Sequence, residues 1–513
     1  MSDEIRLYDK PAKEDIKLNI WMAFPGAKKF GMSSLGFLSA FKFFDLNKNC
    51  LVERIFTDTE RTLIPIQNVD LIGFSVSFEI DFLSFFKIFE KYNIPFKAKD
   101  RDNSYPLIFG GGPVLSSNPE PFCELFDFIT LGDGEKVNEI VAQTIVKNKH
   151  LSKEELLKKI SEISGVYVPS LTEFDPIELK VTIDKKDFKI KKETVELGYP
   201  LSSPFITEDS FFSNTFIIEL ARGCPFFCNF CLASYLNKPY RCSSTEGIIK
   251  EIDKGLKYTN KIAFLGALIA THPDFEKICD YVHQKVKSGE NIELSVSSLR
   301  ANRVSAPVIQ TLVACGQKHA TIAIEAGSER LRSYIDKRLT EEELINFVDI
   351  AYNNGLKGVK IYGIIGLPTE TEEDIEQMVA IMLKLKKIYK SFDFTLSVST
   401  FVPKAHTPFW AEGREKTKVL EKRFAYLKKH LAPKGIQVRT SSIAWDEIQT
   451  IFSKGDRRFT DYAIEVYKNG ANLGAFKKVY KQMEKANILP PYDEIVYAPL
   501  DKNKPPVWNF IQV

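Results

Sequence analysis

An α/β chain built from two successive runs of parallel βα units and finished by a small, mainly helical region is what this sequence predicts. Three observations carry the prediction. Short β-rich runs alternate with helical stretches over residues 18–112, the alternation resumes with a steady rhythm over 214–400, and after 416 the text turns charged and helical. Alternation of this kind signals parallel βαβ units. At 513 residues the chain exceeds one typical domain, and the expected segments are 1–169, 170–212, 213–415 and 416–513.

The first segment reads as a doubly wound, Rossmann-like parallel sheet. LNIWMAF (18–24) is a first strand, and PGAKKFGMSSLG turns into a helix that reaches Asn47. Strands follow at 52–56 and 71–76, then a helix over 81–92 and the strand PLIFGGG. Ligands of such sheets bind beyond the carboxyl ends of the strands, where this chain has the turns 25–36, 75–79, 110–117 and 132–135. Glycines there permit close backbone approach or positive φ; each turn taken singly reads equally well as a tight connection. Residues 170–212 hold lysine-rich alternating text and a Ser/Pro/Phe-rich linker. The former is expected as an exposed hairpin, with 180–192 either a solvated face or a surface for an acidic partner.

In the third segment, strands are expected near 215–220, 261–265, 292–296, 319–324, 358–363 and 394–399, with helices at 244–256, 341–353 and 370–386. Ser244 and Thr371 are N-cap candidates, the latter with Asp374 in a capping-box pattern. Six parallel strands with right-handed crossovers make an open, curved barrel whose site lies at the carboxyl ends. Residues 416–513 are expected as a helical cap with a proline-rich tail.

The chemistry gathers in TFIIELARGCPFFCNFC (215–231). Directly after the first barrel strand, Cys224, Cys228 and Cys231 stand at C-x-x-x-C-x-x-C spacing. Soft thiolates select zinc, copper or an iron-sulfur cluster. A closed zinc site wants a fourth protein ligand, and neither Cys242 nor His272 stands at finger spacing. Three cysteines can instead hold three irons of a 4Fe-4S cluster and leave the fourth open to a non-protein ligand.

This loop, with Phe230 before its last cysteine, is followed in order by FLGALIA, SVSSLRANR, TIAIEAGSERLR, KIYGIIGLPTET and SVSTFVPKAHTPF. Together they resemble the radical S-adenosylmethionine (SAM) superfamily. The resemblance implies a partial (βα)6 barrel and an enzyme whose 4Fe-4S cluster, on the three cysteines, binds SAM and cleaves it reductively to a 5′-deoxyadenosyl radical. It sets Phe230 near adenine, with the backbone of 362–368 (Tyr362, Gly366, Leu367, Pro368) along the other edge. It sets Ser297 and Arg300 at the ribose or the methionine carboxylate, and Glu325 at the ribose hydroxyls or the amino group. The plainer reading of Glu325 is a salt bridge to Arg300 or Arg330. The superfamily's G-G-E on the second strand is reduced here to Gly266, which leaves backbone carbonyls to hold the amino group.

GFSVSFE, GGGPVLSSNPEP and FITLGDGE resemble the cobalamin-binding-type domain that precedes such barrels, and FSKGDRRF extends the likeness toward the C-terminus. The D-x-H-x-x-G motif is missing, and His150 is the sole histidine of this half. Two readings therefore stay open: cobalamin held without a protein histidine ligand, or a retained sheet serving as scaffold or substrate platform. The implied activity is a radical modification or cobalamin-assisted methyl transfer on an unknown substrate, fed by an electron donor such as flavodoxin or ferredoxin. A nonenzymatic iron-sulfur module is the alternative from another class. A tRNA or protein methylthiotransferase is disfavoured, because those enzymes carry three further cluster cysteines and this half has only Cys50 and Cys123. His406 is readable as a proton donor, a substrate contact or a structural residue.

Composition sets outer bounds. A net charge of +3 gives no strong pull toward nucleic acid or membrane. No apolar run approaches the ~18 residues of a spanning helix, and the N-terminus lacks a secretory h-region. Eight cysteines are too few for a disulfide scaffold in so long a chain. The expected compartment is the cytoplasm.

Overall fold

In the computed structural model, which describes residues 4–513, strands β1 (Leu18–Ala23), β2 (Cys50–Ile55), β3 (Leu71–Ser75), β4 (Leu107–Gly111) and β5 (Phe128–Thr130) are parallel in the order β2-β1-β3-β4-β5. An antiparallel strand, β6 (Val166–Tyr167), closes the edge. Alternation along β1 sends Ile20 and Met22 to one face and Trp21 and Ala23 to the other. Helices α1 (Leu35–Asp45) and α3 (Gly134–Lys147) cover the first face, and α2 (Phe82–Lys91) packs on the second.

The barrel follows as β7 (Thr215–Glu219), α4 (Thr245–Leu256), β8 (Lys261–Leu265), α5 (Phe275–Lys287), β9 (Glu293–Val296), α6 (Ala306–Ala314), β10 (His319–Glu325), α7 (Glu341–Asn353), β11 (Gly358–Ile365), α8 (Glu372–Ile388) and β12 (Asp393–Thr400). All six strands lie within two residues of their expected spans. β7-β8-β9 and β10-β11-β12 pair in parallel, and a bridge from Leu299 to Ile322 joins the two groups. Ser244 caps α4 by accepting from the Gly247 amide, and the Asp374 carboxylate accepts from the Thr371 amide at the start of α8. Along β11, Val359, Ile361 and Ile365 are buried in the core shared with the helices, while Lys360, Tyr362 and Ile364 alternate onto the less covered inner face.

Beyond α9 (Thr417–Leu431), a seventh parallel strand, β13 (Ile436–Thr440), adds to β12. Five residues of alternating text, entered through Gly435 at φ +77, are masked by the charged helices on either side. The expected division at 415/416 therefore falls inside the run of βα units. Helices α10 (Ile443–Lys454), α11 (Arg458–Lys468) and α12 (Leu473–Lys485) complete the C-terminal region.

These three helices pack over α2 and the 120–125 segment, on the side of the first sheet's second face. Phe452, Phe459, Tyr462, Phe476 and Tyr480 share one apolar cluster with Phe74, Phe82 and Phe122. The rings of Phe82 and Phe452 stand 4.6 Å apart, and Phe122 stacks on Phe452 at 5.3 Å. Burial of each such ring contributes about 1.5–3 kcal/mol. The last strand, Ile511–Gln512, pairs in parallel with Ile190–Lys191, so the tail is stitched to the segment between the two sheets. The hairpin forms at Glu173–Asp175 and Lys180–Thr182. The solvated lysine face ends at Lys191, however, for Lys192 is only 5% exposed. Among the described residues, no helix is long and apolar enough to cross a membrane.

Candidate active site and interdomain cavity

Ala221–Arg222 pairs antiparallel with Arg241–Cys242, which gathers residues 223–240 into a closed loop at the carboxyl end of β7. Gly223 opens the loop at φ +83, where a Cβ would lie 2.6 Å from the Asn237 carbonyl oxygen. Only glycine fits there, on conformational and steric grounds together. Other barrel loops then clamp the cysteine segment. The Asn229 amide donates to the Ile335 carbonyl (3.0 Å) and its side chain to the Tyr334 carbonyl (2.8 Å), while the Phe409 amide donates to Asn229 (3.2 Å). The Tyr235 hydroxyl donates to the Phe227 carbonyl (2.7 Å). The Arg300 guanidinium lies 3.9 Å from the centre of the Phe226 ring, a favourable cation–π contact.

Within this clamp Cys228 is buried and Cys224 and Cys231 are half-buried. Burial pushes the Cys228 thiol up to about 11, against the pull of Lys337 and Arg300. Burial likewise raises Cys231, opposed in part by the Ala233 and Ser234 amides. Metal binding must displace these protons, since the thiolate is the ligand. No three His, Cys, Asp or Glu side chains among the described residues converge to hold a single ion. The Cys231 thiol lies within electrostatic reach of both Cys224 and Cys228, and a four-iron cluster takes one thiolate on each of three irons. The other two candidate ligands are engaged elsewhere: His272 Nε2 contacts the Ser243 carbonyl at 2.8 Å, and Cys242 lies against the Tyr240 hydroxyl. Cys50 and Cys123 are both fully buried inside the first domain, on separate elements.

The remaining expected site residues lie at or near the carboxyl ends of the barrel strands. Ser297 Oγ donates to the Gly266 carbonyl (3.2 Å), bringing the ends of β8 and β9 together. A Cβ on Gly266 would stand 3.0 Å from the Ala221 carbonyl, so glycine lets β8 close on the cysteine loop. Phe230 and Ile364 pack against an apolar cluster of Leu367, Phe401 and Phe409, which sets the cysteine loop beside the Gly366–Leu367–Pro368 turn. Gly366 takes φ +75 and donates its amide to Glu370, itself held by Arg423 at 2.8 Å. Tyr362 is exposed on the inner face beside Lys360 (3.2 Å).

Glu325 ends β10 at φ +67, where the register against β11 shifts. A non-glycine residue in that region is strained, and such strain gathers at functional sites. Its carboxylate pairs with Lys337 at 3.0 Å and with neither expected arginine, because Arg330 is taken by Asp374 (2.5 Å). Arg300 is nine-tenths buried and donates to the carbonyls of Lys337 and Arg338. Lys337 is thus a candidate site residue, beside Glu325 and Cys228, that sequence reasoning missed. Its only mark in the sequence is membership of the charged run DKR, which normally reads as solvated surface.

A cavity of about 380 Å³ opens at the carboxyl ends of β3, β4 and β5. Ser75, Gly111 and Gly132 line it from the sheet, and Arg222, Leu236 and Asn237 from the cysteine loop. Its wall offers hydroxyls, glycines and the amides of Asn138 and Asn237, together with the charged Asp133, Glu135, Glu219, Arg222 and Lys192, and open space lies beyond Gly36. Hydroxyls, glycines and amides of this kind fit a large amide-bearing ligand such as a corrinoid.

Ion pairs and hydrogen bonds fasten the sheet to the barrel around this space. Arg222 bridges Asp133 (2.7 Å), Glu135 (2.9 Å) and Glu219 (2.8 Å), and Arg241 takes the other Asp133 oxygen. Burial would raise Asp133, but the two guanidiniums outweigh it and hold the carboxyl below its ordinary range. Glu79 pairs with Lys404, Glu120 with Arg457 (3.0 Å), and His406 Nε2 donates to the Ser117 carbonyl (2.8 Å).

The family model described as "Radical SAM proteins, N-terminal" matches residues 44–169, and the radical SAM superfamily model matches 218–382. An uncharacterized protein of Methanocaldococcus jannaschii is 29% identical over 416 residues, spanning 80% of this chain and 84% of its own length. Two solved structures share the fold. The radical S-adenosylmethionine methyltransferase TsrM from Kitasatospora setae, with cobalamin and a 4Fe-4S cluster bound, gives a TM-score of 0.56 at 12% identity, covering 92% of this chain and 99% of that one. The cobalamin-dependent S-adenosylmethionine radical enzyme OxsB, with aqua-cobalamin and SAM bound, gives 0.53 at 15% identity, covering 91% and 71%.

Proposed function

We propose, from the premise that this chain is a radical SAM superfamily enzyme whose N-terminal region shares the fold of cobalamin-dependent relatives, that it couples reductive SAM cleavage to cobalamin-assisted methyl transfer or a related radical modification of an unknown substrate. The observation that carries this reading is one shared cavity, walled on one side by the strand ends of the first sheet and on the other by the cysteine loop. When bound, a cluster supplies the electron that splits SAM into methionine and a 5′-deoxyadenosyl radical, and cobalamin supplies a carrier for a methyl group.

The chain's own residues would hold and shield these groups. Cys224, Cys228 and Cys231 are the cluster ligands. Lys337 and Arg300 put positive charge beside Cys228, which offsets the charge of a thiolate-ligated cluster. Glu325 would accept from the ribose hydroxyls or the amino group of SAM, and its partner Lys337 stands ready for the methionine carboxylate. Phe230, Leu367, Phe401 and Phe409 give an apolar bed for adenine and keep water away. A flavodoxin or ferredoxin would supply the electron, in the cytoplasm.

Anaerobic reconstitution with iron and sulfide, followed by dithionite and SAM, should yield 5′-deoxyadenosine, and added cobalamin should show a protein-bound visible spectrum. Replacing the three cysteines by alanine should abolish iron uptake. Retained iron would refute the ligand assignment, and an intact cluster without 5′-deoxyadenosine would favour an electron-transfer or sensing module.

A further inference from the structure

Lys192 brings to the wall of the interdomain cavity an ammonium with no counter-ion among the described residues. The residue is 5% exposed, and its Nζ donates to Thr194 Oγ1 (2.9 Å) and to the Lys238 carbonyl (3.1 Å). An ammonium has three donors, and the third finds no acceptor among the described residues. The acids nearby are already committed. Asp133 serves Arg222, Arg241 and the Val195 amide, while Glu135 and Glu219 both serve Arg222. Burial lowers the Lys192 pKa; Asp133 opposes that effect, and Arg241, Lys238 and Arg222 add to it. Three cations and one acid thus bear on the Lys192 ammonium, in a place where an unpaired charge is expensive to keep dry.

We propose that Lys192 anchors an anionic group, phosphate or carboxylate, of the ligand that fills this cavity. The group has two sources. One is the phosphodiester in the nucleotide loop of a corrinoid, which rests on the cobalamin reading above. The other is an acidic substrate seated between the first sheet and the cysteine loop.

The test uses the full chain and its Lys192→Gln and Lys192→Arg variants, checked for native circular dichroism. Three probes are titrated: hydroxocobalamin, cobinamide (which lacks the nucleotide loop and its phosphate) and inorganic phosphate. If the corrinoid supplies the anion, K192Q weakens hydroxocobalamin roughly 10- to 100-fold, leaves cobinamide unchanged, and K192R recovers most of the loss. If the substrate supplies it, both corrinoids bind K192Q as they bind the parent, and phosphate binds the parent and K192R but not K192Q. Equal binding of all three probes to parent and K192Q overturns the proposal. A parent chain that binds phosphate through Lys192 but no corrinoid would leave the anion site standing while removing the cobalamin reading.

Discussion

Gly223→Ala tests whether the closed geometry of the cysteine loop is what makes it a cluster site. The substitution forces a side chain onto a backbone at φ +83, which costs about 1–2 kcal/mol. It also drives a Cβ to 2.6 Å from the Asn237 carbonyl oxygen, and overpacking of this kind costs about 1–3 kcal/mol. The oxygen cannot swing away as a side chain could, because Asn237 follows the short helix that Cys231 begins. Relief therefore comes by opening the loop between its first and last cysteines. A total of about 2–5 kcal/mol corresponds to roughly a 30- to 5000-fold loss of the closed loop. Iron and sulfide per chain after anaerobic reconstitution should drop sharply, along with SAM cleavage. Gly316→Ala is the matched control: its φ is also +83, but nothing lies within 4 Å of the new Cβ. It should load iron as the parent does. Full loading of G223A, or equal failure of both variants, would refute the reasoning.

Three further outcomes are expected. Glu325→Gln keeps the side-chain shape at φ +67 and should weaken SAM binding about tenfold while iron loading stays intact; unchanged affinity in equilibrium dialysis would remove Glu325 from the site. Burial holds the His406 imidazole at about 4, although its bond to the Ser117 carbonyl works the other way. The unfolded chain takes up that proton near pH 6.5 and the folded chain only near 4, so stability is lost as pH falls through that window. His406→Asn, which tolerates φ +63, should remove about 2 kcal/mol of the difference between pH 7 and pH 5 in urea titrations; an unaltered difference would show that the ring titrates normally. Arg457→Ala leaves Glu120, fully buried, without its partner and should destabilise the chain by about 3–5 kcal/mol. The double variant E120M/R457M should lose less than R457A, and the reverse order of denaturation midpoints would contradict the account.

The cysteine triad and the strand rhythm were legible because each is written locally: a spacing of three and two residues, and a period of βα units. The contact of Gly223 with the Asn237 carbonyl left no mark in the sequence. GFSVSFE, GGGPVLSSNPEP and FITLGDGE read as ligand turns, yet Glu79, Glu120 and Asp133 each pair with a cation of the barrel or the C-terminal region. Half of an ion pair carries no address for its other half some 90 to 340 residues away. The same limit hid Lys192 in a run of exposed lysines, and β13 between two charged helices.

The covering of Phe82 and Phe122 by Phe452 also has a temporal consequence. A ribosome making this chain releases the first sheet several hundred residues before the helix that roofs it, so an aromatic face stays bare for most of translation. A fragment ending near residue 169 would carry that face permanently and should aggregate. Dissection of the protein into an autonomous N-terminal piece therefore calls for grafting α10 to α12 alongside it.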